Sequence, residues 1–249
     1  MIERTALIQY ANKLLNVDAF SDYCPNGLQV EGKAHIGMIV SGVTACQALI
    51  DEAVRLKADL LLVHHGYFWK GEAQPIVGIK KRRIATLLQH DISLLAYHLP
   101  LDAHAVLGNN ARLGALLGIT SEGALTPEGI GQLGVLEQAV TAEELAGIIG
   151  QRLGRTPQLI SGGAHRITRI AWCTGAAQGY IEQAAALGAD AYISGEISEQ
   201  TFHQARELGI HYFAAGHHAT ERYGAMALGE HLAQQFSLDH RFVDIDNPI

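Results

Sequence analysis

Apolar and polar positions recur along this chain with two different periods, and their order predicts an α/β fold. Short apolar runs typical of strands are followed by stretches in which apolar residues recur about every 3.6 positions, as in amphipathic helices. Strands that alternate with helices of this length indicate parallel-rich sheets with helices on their faces. The first helix is expected near the N-terminus, on the apolar positions Ala6, Leu7, Tyr10, Leu14, Leu15 and Val17.

This pattern occurs twice. The segment 36–65 aligns without gaps on the segment 167–196, with about nine of thirty positions identical. Two unrelated βαβ units would also share apolar periodicity, but the gapless match and the shared Ala-Asp before the second strand favour an internal duplication. Each copy is expected to hold three strands, at 38–43, 60–63 and 92–97 and at 167–173, 191–194 and 210–215. We therefore predict two similar three-layer α/β domains.

A glycine-rich segment separates the two copies. Residues 118–134, GITSEGALTPEGIGQLG, combine five glycines with one proline, which is typical of a connection between domains. The sequence thus predicts a first domain over residues 1–126 and a second over residues 127–249.

Composition narrows the class of protein and its partners. Of the 249 residues, 48% are hydrophobic and 17% are charged, which fits a globular protein and excludes disorder. The net charge of −7 argues against nucleic acid as a partner, and we expect the basic run 80–83 to be a solvated helix face. Cys24, Cys46 and Cys173 are scattered, which favours reduced thiols and a cytoplasmic location. No apolar run approaches the ~20 residues of a membrane span.

Candidate ligands for a metal follow the predicted strands, where ligands bind in open α/β sheets. His64 and His65 end a strand that opens into a turn at Gly66, where both imidazoles can converge on one point. One buried and one exposed histidine is the alternative. The second copy has Gly195 and Glu196 at the aligned positions, so packing alone does not require the histidine pair.

Two further segments add donors. After Gly216 a helix is expected to begin, which places His217 and Glu221 four residues apart on one face. In the segment 97–102, Pro100 predicts a loop rather than a helix, with Asp102 at its tip. His98 is either a ligand or a partner that orients a ligand or moves a proton, and we favour the latter role. The remaining single histidines are expected on the surface or in capping roles: His35, His90, His104, His165, His203, His211, His231 and His240.

The donor set His64, His65, Asp102, His217 and Glu221 exceeds what one tetrahedral zinc ion requires. Three imidazoles and two carboxylates suit two divalent ions about 3.5–4 Å apart with a water between them. Cysteine is absent from the set, which favours an open, hydrolytic site over a closed structural one. Zinc, iron, manganese and nickel all accept mixed nitrogen and oxygen ligands.

The motifs together resemble a known family. HHGYF after a strand, the segment Y-H-x-x-x-D, the helix start GHHATE and the early PNGLQV are similar to those of the GTP cyclohydrolase 1 type 2 homologues. These are also called Ngg-interacting-factor-three-like proteins, and the resemblance is to their short bacterial form. It covers nearly the whole chain, and it implies two similar α/β domains, a dinuclear metal site and a toroidal homohexamer. Carried over by position, the implied ligands are the same five residues.

Three functions compete at this point. The leading hypothesis is a metal-dependent hydrolase of a small nucleotide-like or other phosphate-containing substrate. The second is a non-enzymatic regulatory or metal-handling protein that uses the same site to hold metal or to stabilise a partner surface. The third is a ring threaded by nucleic acid, against which the net negative charge weighs. The family name does not by itself establish GTP ring opening.

Overall fold

A computed structural model describes residues 1–249 and confirms the α/β class. The strands, in chain order, are β1 (Ile2–Glu3), β2 (Gly27–Val30), β3 (His35–Ile36), β4 (Met38–Thr44), β5 (Leu60–His65), β6 (Ser93–Ala96), β7 (Thr120–Ala124), β8 (Gln132–Val140), β9 (Gln158–Ile160), β10 (Ile167–Cys173), β11 (Ala191–Ser194), β12 (His211–Ala214) and β13 (Asp239–Phe242). The α-helices are α1 (Arg4–Leu14), α2 (Gln47–Arg55), α3 (Gly78–Gln89), α4 (Leu99–Ala103), α5 (Asn109–Leu117), α6 (Ala142–Leu153), α7 (Ile181–Ala186), α8 (Glu199–Leu208) and α9 (His217–Phe236). Short 3-10 helices lie at Val17–Ala19 and Gln178–Tyr180. All six strands predicted from the repeat are present, with ends that differ by at most two residues.

The chain divides into two compact units. Met1–Leu101 together with Gly224–Asp246 form the first unit, and Asp102–Tyr223 together with Asn247–Ile249 form the second. The expected boundary near residue 126 lies between β7 and β8, which pair in one antiparallel sheet. The glycine-rich segment is therefore a hairpin connection rather than a linker, and Gly129 and Gly131 adopt positive φ values of 86° and 67° there.

The sheet of the first unit has the order β13-β4-β5-β6-β2. Its first four strands are parallel, and β2 is antiparallel to β6 at the edge. β13 comes from the chain after α9, so residues 224–246 complete the sheet begun in the first hundred residues. A separate two-stranded sheet joins β1 to β3.

The sheet of the second unit has the order β7-β8-β10-β11-β12-β9. Its three central strands β10, β11 and β12 are parallel, and β9 is antiparallel to β12 at one edge. The same arrangement of three parallel strands beside one antiparallel strand occurs in the first unit, in β4, β5, β6 and β2.

A half-buried aspartate makes the same backbone contacts in both units. Asp59 accepts hydrogen bonds from the backbone N–H groups of residues 37 and 38, at 2.9 and 3.0 Å. Asp190, at the aligned position, accepts them from residues 168 and 169, at 2.9 and 2.8 Å. The two units thus share strand order and this contact, and the duplication itself stays a prediction.

Each unit has its own apolar core beneath its helices. In the first unit, Leu49 and Ala53 of α2 are fully buried against the sheet, as the helical spacing predicts. In the second unit, Trp172 of β10 is the largest fully buried side chain. The N-terminal helix is present as α1 and buries Leu7 and Ala11.

The loop predicted for residues 98–102 is wrong. This segment contains α4, and Asp102 is 7% exposed within it rather than at a loop tip. Pro100 lies in the first turn of α4, where a missing backbone N–H costs no intrahelical hydrogen bond. Proline in the first turn is compatible with a helix, so Pro100 did not by itself indicate a loop.

Other expectations about the surface and the cysteines are met. Lys81 and Arg82 of α3 are exposed, and Lys80 pairs with Glu72 at 3.2 Å, so the basic run is a solvated helix face. The three cysteines form no disulfide. None of the helices combines the length and the apolar character that a membrane span requires.

Candidate metal centre

In the first unit, the two adjacent histidines at the end of β5 do converge. The ring centroids of His64 and His65 are 4.5 Å apart, and the ring of His98 lies 5.1 Å from the first and 5.8 Å from the second. One ring nitrogen from each of the three lies within 4.8 Å of the others, the spacing expected for ligands of one ion. His64 is fully buried and His65 is half-buried.

The Nδ1 atoms of this pair contact the protein. His64 Nδ1 lies 2.9 Å from the carbonyl oxygen of Tyr97, which can only accept a hydrogen bond, so this nitrogen carries the proton. His65 Nδ1 lies 3.2 Å from the hydroxyl of Thr44. Metal-binding histidines are held in this way, with one ring nitrogen bonded to the protein and Nε2 directed to the ion.

His98 is fixed by a polar cluster that the sequence reasoning did not identify. Its Nδ1 lies 2.7 Å from Asp22 Oδ1, and its backbone N–H donates to Asn26 Oδ1 at 2.7 Å. Asp22 Oδ2 also accepts from Asn26 Nδ2 and from the N–H of Leu99, at 2.8 and 2.9 Å. Burial alone would raise the pKa of Asp22, but the hydrogen bonds of His98, Asn26 and Leu99 lower it to about 2. The early segment around Pro25-Asn26-Gly27 was the available signal.

Aromatic rings surround His98 in the first unit. Trp69 packs edge-on against it at 5.0 Å, and Tyr23 lies 6.4 Å away with 62% of its surface exposed. Phe68, next to Trp69, has a φ of 64°, a strained conformation for a bulky residue. Strain of this kind concentrates at functional sites, and here it follows the histidine pair by three residues.

In the second unit, the candidate ligands include two buried carboxylates, those of Asp102 and Glu221. Asp102 Oδ1 accepts hydrogen bonds from Asn109 Nδ2 at 2.9 Å and from the hydroxyl of Thr174 at 3.3 Å. A carboxylate oxygen of Asp102 lies within 4.8 Å of one of Glu221, which is 3% exposed. Two buried carboxylates this close repel each other unless a cation balances them. Asn109 and Thr174 were missed, although Thr174 directly follows a strand.

The two donors predicted to lie four residues apart on one helix, His217 and Glu221, do lie close together. His217 Nε2 lies 3.1 Å from Glu221 Oε2, across the first turn of α9. The other ring nitrogen, Nδ1, lies 2.7 Å from Glu196 Oε1, a contact that the sequence reasoning did not foresee. Burial lowers the pKa of His217, but the hydrogen bonds and charges of Glu221 and Glu196 outweigh it and raise the pKa to about 9.

Glycine at position 175 lets the backbone after β10 approach these donors. A Cβ atom there would lie 2.1 Å from Glu221 Oε1 and 3.2 Å from His217 Nε2. The residue also has a φ of 69°, which a glycine adopts without strain. Burial raises the pKa of the Cys173 thiol, and the negative charges of Asp102 and Glu221 raise it further. The carboxylates of the site therefore act on Cys173 as well.

Each unit therefore collects donors that suit a divalent cation. The first supplies imidazole nitrogens, and the second supplies one imidazole and two carboxylates, without any thiolate among the five predicted ligands. Fixed ring nitrogens, hydrogen-bonded carboxylates and burial fit a metal site of this composition.

Comparison with known proteins identifies the family of the chain. Residues 2–248 match the family described as Duf34/NIF3 (NGG1p interacting factor 3). The chain belongs to the Duf34/NIF3 family. A Duf34/NIF3 relative called GTP cyclohydrolase 1 type 2 homolog, from Pseudomonas aeruginosa, is 54% identical over 250 residues, which cover 99% of both chains. The resemblance stated from the motifs is thus confirmed.

Solved structures agree with this membership. The protein ybgI, described as of unknown function, is 55% identical and superposes with a TM-score of 0.97 over 100% of both chains. TTHA1606 from Thermus thermophilus is 34% identical and superposes with a TM-score of 0.92, also over 100% of both chains. The fold of the chain is therefore that of the Duf34/NIF3 proteins.

Proposed function

We propose that this chain is a metal-dependent hydrolase of a small nucleotide-like substrate. The ligands would be His64, His65, Asp102, His217 and Glu221, acting together on two divalent ions. The observation that carries the proposal is the nature of the donors: in each unit the imidazoles direct Nδ1 to the protein, and no cysteine closes the ligand set.

Two bound ions would polarise the substrate and activate water near neutral pH. The protein's own groups hold the ligands in place. Asn109 and Thr174 orient the carboxylate of Asp102, and Asp22 fixes the ring of His98. With Nδ1 bonded to Asp22, the Nε2 atom of His98 is the nitrogen that would exchange a proton with the substrate.

The aromatic surroundings of His98 support a substrate with a planar ring. Trp69 and Tyr23 present ring faces and edges beside the histidine cluster, and a heteroaromatic base can stack on such rings. The name of the relatives points to a nucleotide in the same way, although it belongs to them and not to this chain.

The decisive experiment measures turnover of a panel of nucleoside mono-, di- and triphosphates by protein loaded with Zn²⁺, Mn²⁺, Fe²⁺ or Ni²⁺. We expect turnover that a chelator abolishes and the metal restores. Trp69→Phe should raise KM for base-containing substrates but not for ribose 5-phosphate. Loaded protein that turns over no member of the panel would contradict the proposal.

The description of the family by an interaction supports a second candidate, a regulatory or metal-handling protein that catalyses nothing. Asp102→Ala separates the two candidates, because it removes a ligand but leaves the surface of the protein intact. Full cellular function of an Asp102→Ala protein that still assembles would favour the second candidate over catalysis.

We also propose that copies of the chain associate into a homohexamer in the cytoplasm. Three apolar side chains in and next to the start of α3 support a covered surface: Ile76, Val77 and Ile79 are 51%, 64% and 58% exposed. Light scattering coupled to gel filtration tests this, with Val77→Asp expected to dissociate the assembly. A parent chain that runs as a monomer would contradict it.

A further inference from the structure

A carboxylate outside the predicted ligand set is bonded to one of the ligands. Glu196 lies two residues after β11, and its Oε1 atom is 2.7 Å from His217 Nδ1. An ionised carboxylate only accepts hydrogen bonds, so Nδ1 of His217 carries a proton, and it keeps that proton when Nε2 gives up its own to bind a metal ion. The opposite nitrogen, Nε2, then faces the carboxylate of Glu221 at 3.1 Å.

We propose that Glu196 is a positioning residue for metal binding. It fixes the tautomer and the ring plane of His217, so that Nε2 is directed to the ion beside Glu221. This inference rests on the proposed metal site. It concerns the strength with which that site binds metal and does not depend on which substrate is turned over.

The acceptor of His217 differs in charge from those of the other two histidines. His64 donates to the neutral carbonyl of Tyr97, and His65 contacts the neutral hydroxyl of Thr44. A charged acceptor makes the stronger hydrogen bond and increases the electron density on the imidazole. His217 is therefore the imidazole whose affinity for metal depends most on its acceptor.

A purely structural role does not account for Glu196. Its side chain is 35% exposed, and exposed ion pairs contribute little to folding stability. Its carboxylate oxygen meets His217 and not an apolar core. In the aligned repeat, the same position holds His65, so both units place a metal-directed residue there.

The experiment compares Glu196→Ala and Glu196→Gln with a matched control. Glu199→Ala breaks a similar histidine–glutamate contact, between Glu199 and His203 at 3.2 Å, on the exposed face of α8. Zn²⁺ affinity is measured by competition with a colorimetric chelator. The ring nitrogen of His217 that keeps its proton is identified by ¹⁵N chemical shifts in Zn²⁺-loaded protein, with His217→Gln to assign the signal.

We expect Glu196→Ala to weaken Zn²⁺ binding by about 10- to 100-fold. In the Zn²⁺-loaded protein, the ¹⁵N shifts of His217 should move from protonation of Nδ1 alone toward a mixture of Nδ1 and Nε2 protonation. Glu196→Gln should keep the proton on Nδ1, because its amide oxygen still accepts, but it should recover only part of the affinity, because that acceptor is neutral. Glu199→Ala should change neither quantity.

Two results would overturn the inference. One is a Zn²⁺ affinity of Glu196→Ala within about twofold of the parent, far below the loss expected for such an orienting group. The other is an Nδ1 that remains the only protonated ring nitrogen in Zn²⁺-loaded Glu196→Ala or, if Glu196→Ala fails to fold, a Zn²⁺ affinity of Glu196→Gln equal to that of the parent, because the charge of the acceptor would then have no effect. Absence of turnover would count against the proposed function alone, because neither measurement uses a substrate.

Discussion

The sheets of the two units have the same core arrangement of strands but differ in the chemistry at the ends of those strands. In both, three parallel strands lie beside one antiparallel strand, and an aspartate in the connection before the second parallel strand binds the backbone at the start of the first. At the strand ends, the first unit presents His64 and His65, which neutral groups fix, and His98, which the carboxylate of Asp22 fixes. The second presents carboxylates and a histidine fixed by a carboxylate.

This contrast separates what folding requires from what function requires. Most residues within the strands must fill a core, and most of them are apolar in both units. Residues at the strand ends and just beyond them are not constrained by packing in the same way, so His64-His65 and Gly195-Glu196 can occupy aligned positions. Neither donor set resembles a repeat of the other.

The largest effect is expected from removing one donor in either unit. If the five ligands act together on two ions, His65→Ala and Glu221→Ala should each reduce bound metal from about two ions per chain to one or fewer. Metal content is measured by mass spectrometry on protein purified without a histidine tag. His203→Ala, in an exposed helix position, is the control. If either variant keeps two ions, the substituted residue is not a required ligand.

The next largest effect is expected on folding stability, when a buried residue is replaced in each of the aligned strands β4 and β10. Trp172 is fully buried, and Ser41 occupies the aligned position in the first unit, where its hydroxyl contacts His240 Nε2 at 2.8 Å. Trp172→Ala should cost about 3–5 kcal/mol because it leaves a large cavity. Ser41→Ala should cost about 1 kcal/mol, for the lost hydrogen bond. Urea unfolding followed by circular dichroism measures both, and equal losses would show that the two strands carry similar packing energy.

The strand and helix pattern, and the positions of the five donors after strands or helix starts, were predictable from the sequence. Period and spacing are local properties, and the pairing of His217 with Glu221 follows from helix geometry alone. Asp22, Asn109 and Glu196 were not predictable, because each meets its partner across a separation in sequence that only the folded chain closes. The boundary expected near residue 126 falls in the hairpin between β7 and β8, because glycine-rich turns look alike in hairpins and in linkers.

Removing the shared aspartate should affect the two units almost equally. Asp59→Ala and Asp190→Ala each abolish two hydrogen bonds to backbone N–H groups, and each should cost about 2 kcal/mol. The loss at Asp59 should be slightly larger, because Lys33 Nζ also lies 2.6 Å from it. The comparison uses the midpoints of urea unfolding. A loss confined to one unit would show that the aligned contacts are not energetically equivalent.

The smallest effect concerns the acid stability of the first unit, where Asp22 holds His98 much as Glu196 holds His217. The folded protein lowers the pKa of Asp22 from 3.8 to about 2, so the ionised carboxylate favours folding. This contribution is complete above pH ~4, the ordinary pKa, and is lost as the pH falls through about 2. The stability difference between the parent and Asp22→Asn should therefore be constant from pH 7 to 5 and narrow below 4. Asp18→Asn, at an exposed position, should follow the parent throughout. A difference that stays constant down to pH 2 would mean that Asp22 acts through the shape of its side chain and not through its charge.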